Sequence, residues 1–231
     1  MRRGFAVPVS AAAVSAVLGV VLALNAPAAN AIVNGEPPGN GVGPVVYVLN
    51  SDGGTCTGTL ISPRWVLTAR HCSEPYLVYY GSGRKLAGRI ADVAVRWLNP
   101  NYDLQLLGLN RDATPGRGWG FPVLRDRQRS WLEGVPVLIY GFAGDDKTDL
   151  EQGHLWCGVE LQQYLVWCES ILGGGWVVEH GDSGGPVLEN GFLEGVISKL
   201  SVRRGQSGLA PLNRFNLTWI SAITGVGFAG G

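Results

Sequence analysis

The chain has 231 residues with 18 basic and 18 acidic side chains, a balance that gives no reason to expect a nucleic acid or an anionic membrane surface as partner. Hydrophobic residues make up 46% of it, which excludes a disordered chain. Its 35 Gly and 13 Pro follow no fixed period, which excludes collagen and solenoid architectures and suggests short strands joined by tight turns.

Residues 1–31 read as a secretory signal: Arg2 and Arg3, an apolar run from Phe5 to Leu24, then small residues ending in Ala29-Asn30-Ala31, a signal-peptidase pattern. Pro8, Ser10 and Ser15 dilute the run, and no stop-transfer charges follow, so cleavage is expected rather than an uncut anchor. A cut after Ala31 leaves residues 32–231, beginning Ile32-Val33-Asn34-Gly35; a cut after Ala28 would leave a tripeptide in front of Ile32. Both cuts remain open. An exported chain with four cysteines, an even number and no C-x-x-C spacing, is expected to hold two disulfides and no metal. His154 has no partner at ligand spacing.

Apolar, β-branched-rich runs bounded by Gly, Pro, Asn or Asp predict strands at Val45–Leu49, Thr57–Ile61, Trp65–Thr68, Leu77–Tyr80, Ala91–Trp97 and Leu104–Leu109. A turn-rich connector covers Asn110–Ser130. The strand pattern resumes at Val135–Tyr140, His154–Leu161, Pro186–Leu188, Phe192–Leu200 and Ser207–Leu212. One helix is expected near the C-terminus, with Asn216 as its cap, Leu217, Ile220 and Ile223 on its apolar face, and Gly225 as its stop. The expected architecture is all-β: two packed antiparallel six-stranded β-barrels, residues 32–115 and 116–231, with a C-terminal helix.

Three segments carry residues suited to acyl transfer. "LTARHC" ends an apolar strand on His71, "YDLQLLGL" places Asp103 before an apolar run, and "HGDSGGP" sets Ser183 among glycines whose backbone N–H groups can converge on one point. A serine hydroxyl needs an imidazole to take its proton, and that imidazole needs a carboxylate to hold its tautomer and stabilise its cation. His, Asp and Ser in this chain order supply all three. Asp92 is the competing carboxylate, but no matching apolar motif follows it.

The ordered set "IVNG" at 32, "GTLISPRWVLTARHC" at 58, "DLQLLGL" at 103, "GDSGGP" at 181, "VISK" at 196 and "WI" at 219 resembles the trypsin and chymotrypsin-like serine proteases across residues 32–231. The resemblance implies His71 as general base and acid, Asp103 as its orienting carboxylate and Ser183 as nucleophile. The N–H groups of Gly181 and Ser183 would form the oxyanion hole. Ser198 would support Asp103 and begin the strand along which a peptide substrate pairs. The free amine of Ile32 would pair with Asp182, so a cut after Ala31 would make export and activation one event. Implied disulfides are Cys56–Cys72 and Cys157–Cys168.

The chain also departs from the family. Val177 stands where the trypsin branch places an acid at the base of its specificity pocket, Lys199 replaces a customary Trp, and Leu200 stands near a customary Gly. With Val177, Ser198 and Leu200 as its pocket, the chain is expected to cleave after small or medium apolar residues, not after Arg or Lys, whose desolvation no acid would offset. Arg70 and His180 also depart, and both are read as exposed side chains without a role. Asn216-Leu217-Thr218 is a glycosylation sequon or simply a helix start.

The expected function is a secreted, monomeric serine endopeptidase without cofactor, acting on extracellular polypeptides and open to a protein inhibitor. Nucleic acid and, after signal removal, membrane are not expected partners. A catalytically silent binding module is the alternative. A general esterase fits less well, since the chain order Ser-Asp-His is absent.

Overall fold

A computed structural model describes residues 32, 35–38, 43–126, 134–142, 149–162, 164–171 and 177–230. The expected signal peptide lies outside the described residues, as do Val33, Asn34 and the end of the connector. No helix among the described residues is long and apolar enough to cross a membrane.

The first barrel is built from β1 (Val45–Asn50), β2 (Thr55–Ser62), β3 (Trp65–Thr68), β4 (Pro75–Tyr80), β5 (Arg89–Leu98) and β6 (Gln105–Leu109), closed in the order β1-β2-β3-β6-β5-β4 with every pair antiparallel. Closure leaves no free edge. Its interior holds Val46, Val48, Leu60, Val66, Val78, Leu107 and Leu109, the inward set of the alternating strands.

β7 (Val123–Arg125) lies in the connector and precedes the second barrel: β8 (Val135–Gly141), β9 (Glu151–Gln162), β10 (Leu165–Ser170), β11 (Pro186–Glu189), β12 (Phe192–Ser201) and β13 (Gln206–Pro211). β11 bonds to both β8 and β12 and so closes the sheet. Outside the barrel, β7 runs parallel to β12 and to the terminal β14 (Phe228–Ala229). Neither β10 nor β7 was among the expected strands. In β10, Leu165, Val166, Trp167 and Cys168 are all buried, so the run lacks the alternation of a half-exposed strand; β7 is only 3 residues long.

The helix α1 spans Arg214–Thr224. Its cap is Asn213 rather than Asn216: the Asn213 side chain accepts the Asn216 N–H at 3.0 Å, in the manner of an N-cap oxygen meeting the third helical residue. Gly225, left-handed at φ 73°, ends the helix. Asn216 is wholly buried, donating to Pro211 O at 2.8 Å and accepting from Asn99 at 3.1 Å. A glycan cannot reach it in the folded chain.

Leu217 and Ile220 of α1 complete a core that no single barrel owns. It joins Ile61, Leu67, Leu104 and Leu106 of the first barrel to Leu165, Leu193, Val196 and Leu212 from the second half. Fully burying one such side chain is worth about 1.5–3 kcal/mol, so this shared core fixes the barrels against each other.

Two disulfides are formed, Cys56–Cys72 and Cys157–Cys168, with sequence separations of 16 and 11. The first ties β2 to the turn that carries His71. Converting Cys56 and Cys72 together to Ala is expected to lower the unfolding free energy by about 3 kcal/mol, the chain-entropy value for a loop of this length, read from urea unfolding midpoints.

Candidate active site

His71 follows β3, in a turn shaped by the Cys72 N–H bonding back to Ala69 O at 3.2 Å. Gln105, on the neighbouring β6, fixes this turn: its side-chain amide donates to Ala69 O at 2.7 Å and to Cys72 O at 2.8 Å. Arg70 has a role after all. Its guanidinium donates to Asn99 O at 2.8 Å and Pro100 O at 3.2 Å, holding the loop that leads to Asp103.

Asp103 accepts the His71 backbone N–H at 2.9 Å through one oxygen and meets His71 Nδ1 at 2.7 Å through the other. Ser198 Oγ, on β12, donates to that second oxygen as well. On the far side of the ring, His71 Nε2 and Ser183 Oγ are 2.8 Å apart. Burial pushes the Asp103 carboxyl up, but the hydrogen bonds and charge of His71, together with the Ser198 hydroxyl, outweigh it and hold the group below the usual carboxylate range.

Ser183 sits in a tight turn. Glu179 N–H donates to Asp182 Oδ2 at 2.8 Å, Gly185 N–H to Asp182 O at 2.9 Å, and Gly184 N–H to Ile197 O at 2.7 Å. Gly184 adopts φ +84°, and a Cβ there would lie 1.9 Å from Thr68 Oγ1, so only glycine allows this approach. The N–H groups of Gly181 and Ser183 have no intramolecular acceptor among the described residues, which leaves both donors available to an oxygen placed beside Ser183.

Thr57, on β2, joins this turn to the first barrel. Its backbone N–H donates to Ser183 O at 2.9 Å, its hydroxyl donates to Gly181 O at 2.8 Å, and the same hydroxyl accepts the Phe142 N–H at 2.9 Å. Thr68 Oγ1 completes the set by donating to Thr57 O at 2.7 Å. Nothing in the sequence singles out Thr57, since a threonine in a buried strand needs no special reading.

A cleft beside Ser183 is lined by His71, Val178, Glu179, His180, Ile197, Ser198, Lys199 and Leu200. Ser198 and Leu200 therefore border it, but Val177 does not. Val177 and Val178 are both buried in the core of the second barrel; the Val177 side chain packs on Gly153 beside Ile32, while Val178 also borders the cleft.

In the full-length chain Ile32 N is an uncharged amide, and it donates to Glu151 Oε2 at 3.1 Å. Asp92 lies apart from the site, bonded through its backbone N–H and its carboxylate to Asn110. No cluster of His, Cys, Asp and Glu among the described residues could hold a metal ion.

The Trypsin family model matches residues 32–220. The chain belongs to the trypsin family. With it the chain joins the serine endopeptidases, a class of hydrolases. Among its trypsin-family relatives, the venom plasminogen activator of Lachesis muta muta is 29% identical over 181 residues, covering 67% of this chain and 70% of the relative. The same fold recurs in HL collagenase, at 20% identity and a TM-score of 0.68 over 85% of this chain and 100% of that one. It recurs too in a scabies mite inactivated protease paralogue, at 22% identity and a TM-score of 0.65 over 78% and 94%.

Two changes test this geometry. Thr57→Val, nearly equal in volume, removes the hydroxyl that Gly181 O and Phe142 N–H share, and is expected to cost about 1–3 kcal/mol of unfolding free energy in urea titration. Ser198→Ala removes one donor from Asp103 and should move its carboxyl titration upward, followed by carboxyl-carbon NMR. A carboxylate with a depressed folded-state pKa contributes its full stability above the unfolded value of about 3.9 and loses it as pH falls through the folded value. In the variant that loss is therefore smaller and is complete at a higher pH.

Proposed function

We propose that residues 32–231 form a secreted, monomeric serine endopeptidase that cleaves extracellular proteins through an acyl-enzyme, after small or medium apolar residues. The observation that carries this reading is His71 held between Ser183 Oγ at 2.8 Å and Asp103 Oδ2 at 2.7 Å. Asp103 accepts from Nδ1–H and so leaves Nε2 free to take a proton. As Ser183 Oγ attacks the substrate carbonyl, its proton passes to Nε2 and the carbonyl electrons become an oxyanion facing the Gly181 and Ser183 N–H groups. When the C–N bond breaks, His71 returns the proton to the leaving amine. Water then repeats the sequence on the acyl-enzyme and frees Ser183. Losing one oxyanion donor typically costs about 10²–10³ in rate.

Val178, Ile197 and Leu200 give the cleft apolar walls and support the apolar preference. Secretion is supported by the signal-like residues 1–31 and by a venom protein among the relatives. A protein inhibitor able to enter the cleft is the expected regulator. In the mature enzyme the freed Ile32 amine would pair with Asp182, whether the cut after Ala31 is made directly or follows a cut after Ala28.

Intact mass of the secreted chain, before and after a fluorophosphonate, tests this. A single adduct on a chain beginning at Ile32, absent in Ser183→Ala, is expected; no adduct on that chain would make it a silent binding module. Asp103→Asn should lower kcat by about 10⁴ against a peptide library, because the wrong tautomer is then held.

A further inference from the structure

β12 leaves the catalytic residues with one backbone edge uncovered. β13 pairs with it from Gly195 to Ser201, whereas β11 and β7 lie along its other side no further than Val196. Gly184 and Gly185 then bond to Ile197, and beyond that residue no strand among the described residues covers the edge. Ser198, Lys199 and Leu200 border the cleft there. An open edge takes up an extended peptide through main-chain hydrogen bonds, and the side chains beside it decide which peptide fits.

The charges along this edge have one sign. From Gly195 to Leu212, through β12, its turn and β13, the sequence holds Lys199, Arg203 and Arg204 and no acid. The chain as a whole balances 18 basic against 18 acidic side chains, so the hairpin departs from its surroundings. All three cations are exposed, and Lys199 and Arg203 enter no ion pair among the described residues. Glu169, beside Gln206 on the neighbouring β10, accepts from the neutral Gln206 amide at 3.3 Å. Glu179, the acid that borders the cleft, belongs to the segment leading to Ser183 and not to β12. Scattered surface cations are ordinary, but these begin inside the cleft at Lys199 and continue away from Ser183. At about 3.3 Å per residue the strand runs about 10 Å from Ser198 to Ser201, where the turn holding Arg203 starts.

We propose that Lys199 and Arg203 select acidic substrate residues on the N-terminal side of the cleaved bond, Lys199 at the second residue before the cut and Arg203 at the fifth or sixth. The substrates are then proteins that present an acidic stretch just ahead of an apolar cleavage point. This rests on the endopeptidase reading. Ser198 sets the register: its hydroxyl bonds Asp103 while His71 bonds Ser183, so the peptide residue whose carbonyl Ser183 attacks lies beside it. Antiparallel pairing, the sense in which both β11 and β13 meet β12, places the second residue before the cut opposite Lys199 and runs the earlier ones toward the turn. An exposed pair of opposite charges changes affinity only a few-fold, and two on one peptide give about tenfold.

The test reads binding and cleavage separately. Three fluorescent peptides share one apolar residue at the cleaved bond and differ only at the second, fifth and sixth residues before it, which are all Asp, all Asn or all Lys. In fluorescence anisotropy at low salt, the secreted chain carrying Ser183→Ala should bind the Asp peptide with a Kd about tenfold below that of the Lys peptide, with the Asn peptide between them. In about 1 M salt, where charges are screened beyond about 3 Å, the spread should close. Lys199→Glu together with Arg203→Glu should reverse the order. Lys199→Gln together with Arg203→Gln should erase it, and this pair carries the test should the Glu pair fail to fold. Equal affinities for the three peptides, including no measurable binding of any, or an order that survives the replacements, overturn the proposal. With Ser183 present, kcat/KM should follow the same order. Hydrolysis of all three at equal kcat/KM would sink the charge selection and leave the endopeptidase reading standing, whereas charge-selective binding without hydrolysis would defeat that reading alone.

Discussion

The buried hydroxyl and peptide group of Thr57 are the tie on which the site depends. His71 and Asp103 belong to the first barrel, Ser183 and Ser198 to the second, so no local segment can set the distances between them. Thr57 reaches across the seam to Ser183 O and Gly181 O while Phe142 N–H and Thr68 Oγ1 bond back to it. Each bond nets only about 1 kcal/mol, but leaving any partner unpaired in the dry seam costs more than the bond is worth. The seam at Thr57 is therefore held by the satisfaction of that residue's own polar groups, with the shared apolar core behind it supplying the bulk of the attraction.

Asp103 shows the same logic at the level of charge. A carboxylate partly removed from water is costly unless donors surround it. Here the donors come from three places: the His71 backbone, its ring and the Ser198 hydroxyl. Because Ser198 belongs to the second barrel, the charge of Asp103 gains its third donor only when the two barrels are docked. Electrostatics and packing thus select the same arrangement.

Much of this was legible in the sequence, and the limits have physical causes. His71, Asp103 and Ser183 stand in motifs whose order survives translation into space, and the six strands of the first barrel follow from alternation and turn residues. What escaped was anything decided by which way a side chain points. Val177 and Val178 are chemically alike, and only the backbone shows which lines the cleft. Asn213 and Asn216 are both competent caps, and the choice fell to the one whose rival is needed by Asn99 and Pro211. Arg70, Gln105 and Thr57 hold backbone carbonyls distant in sequence, a kind of contact that no local pattern encodes.

The placement of α1 bears on how such a chain folds. The residues that complete the core between the barrels, Leu217 and Ile220, follow the strands of both barrels in the chain. Until they arrive, Leu67, Leu104 and Leu106 of a finished first barrel have no cover from the helix, and pairings of high sequence separation are slow to form. A first barrel formed alone would therefore show an apolar face to water, and that face is covered only when the second half of the chain and its terminal helix dock.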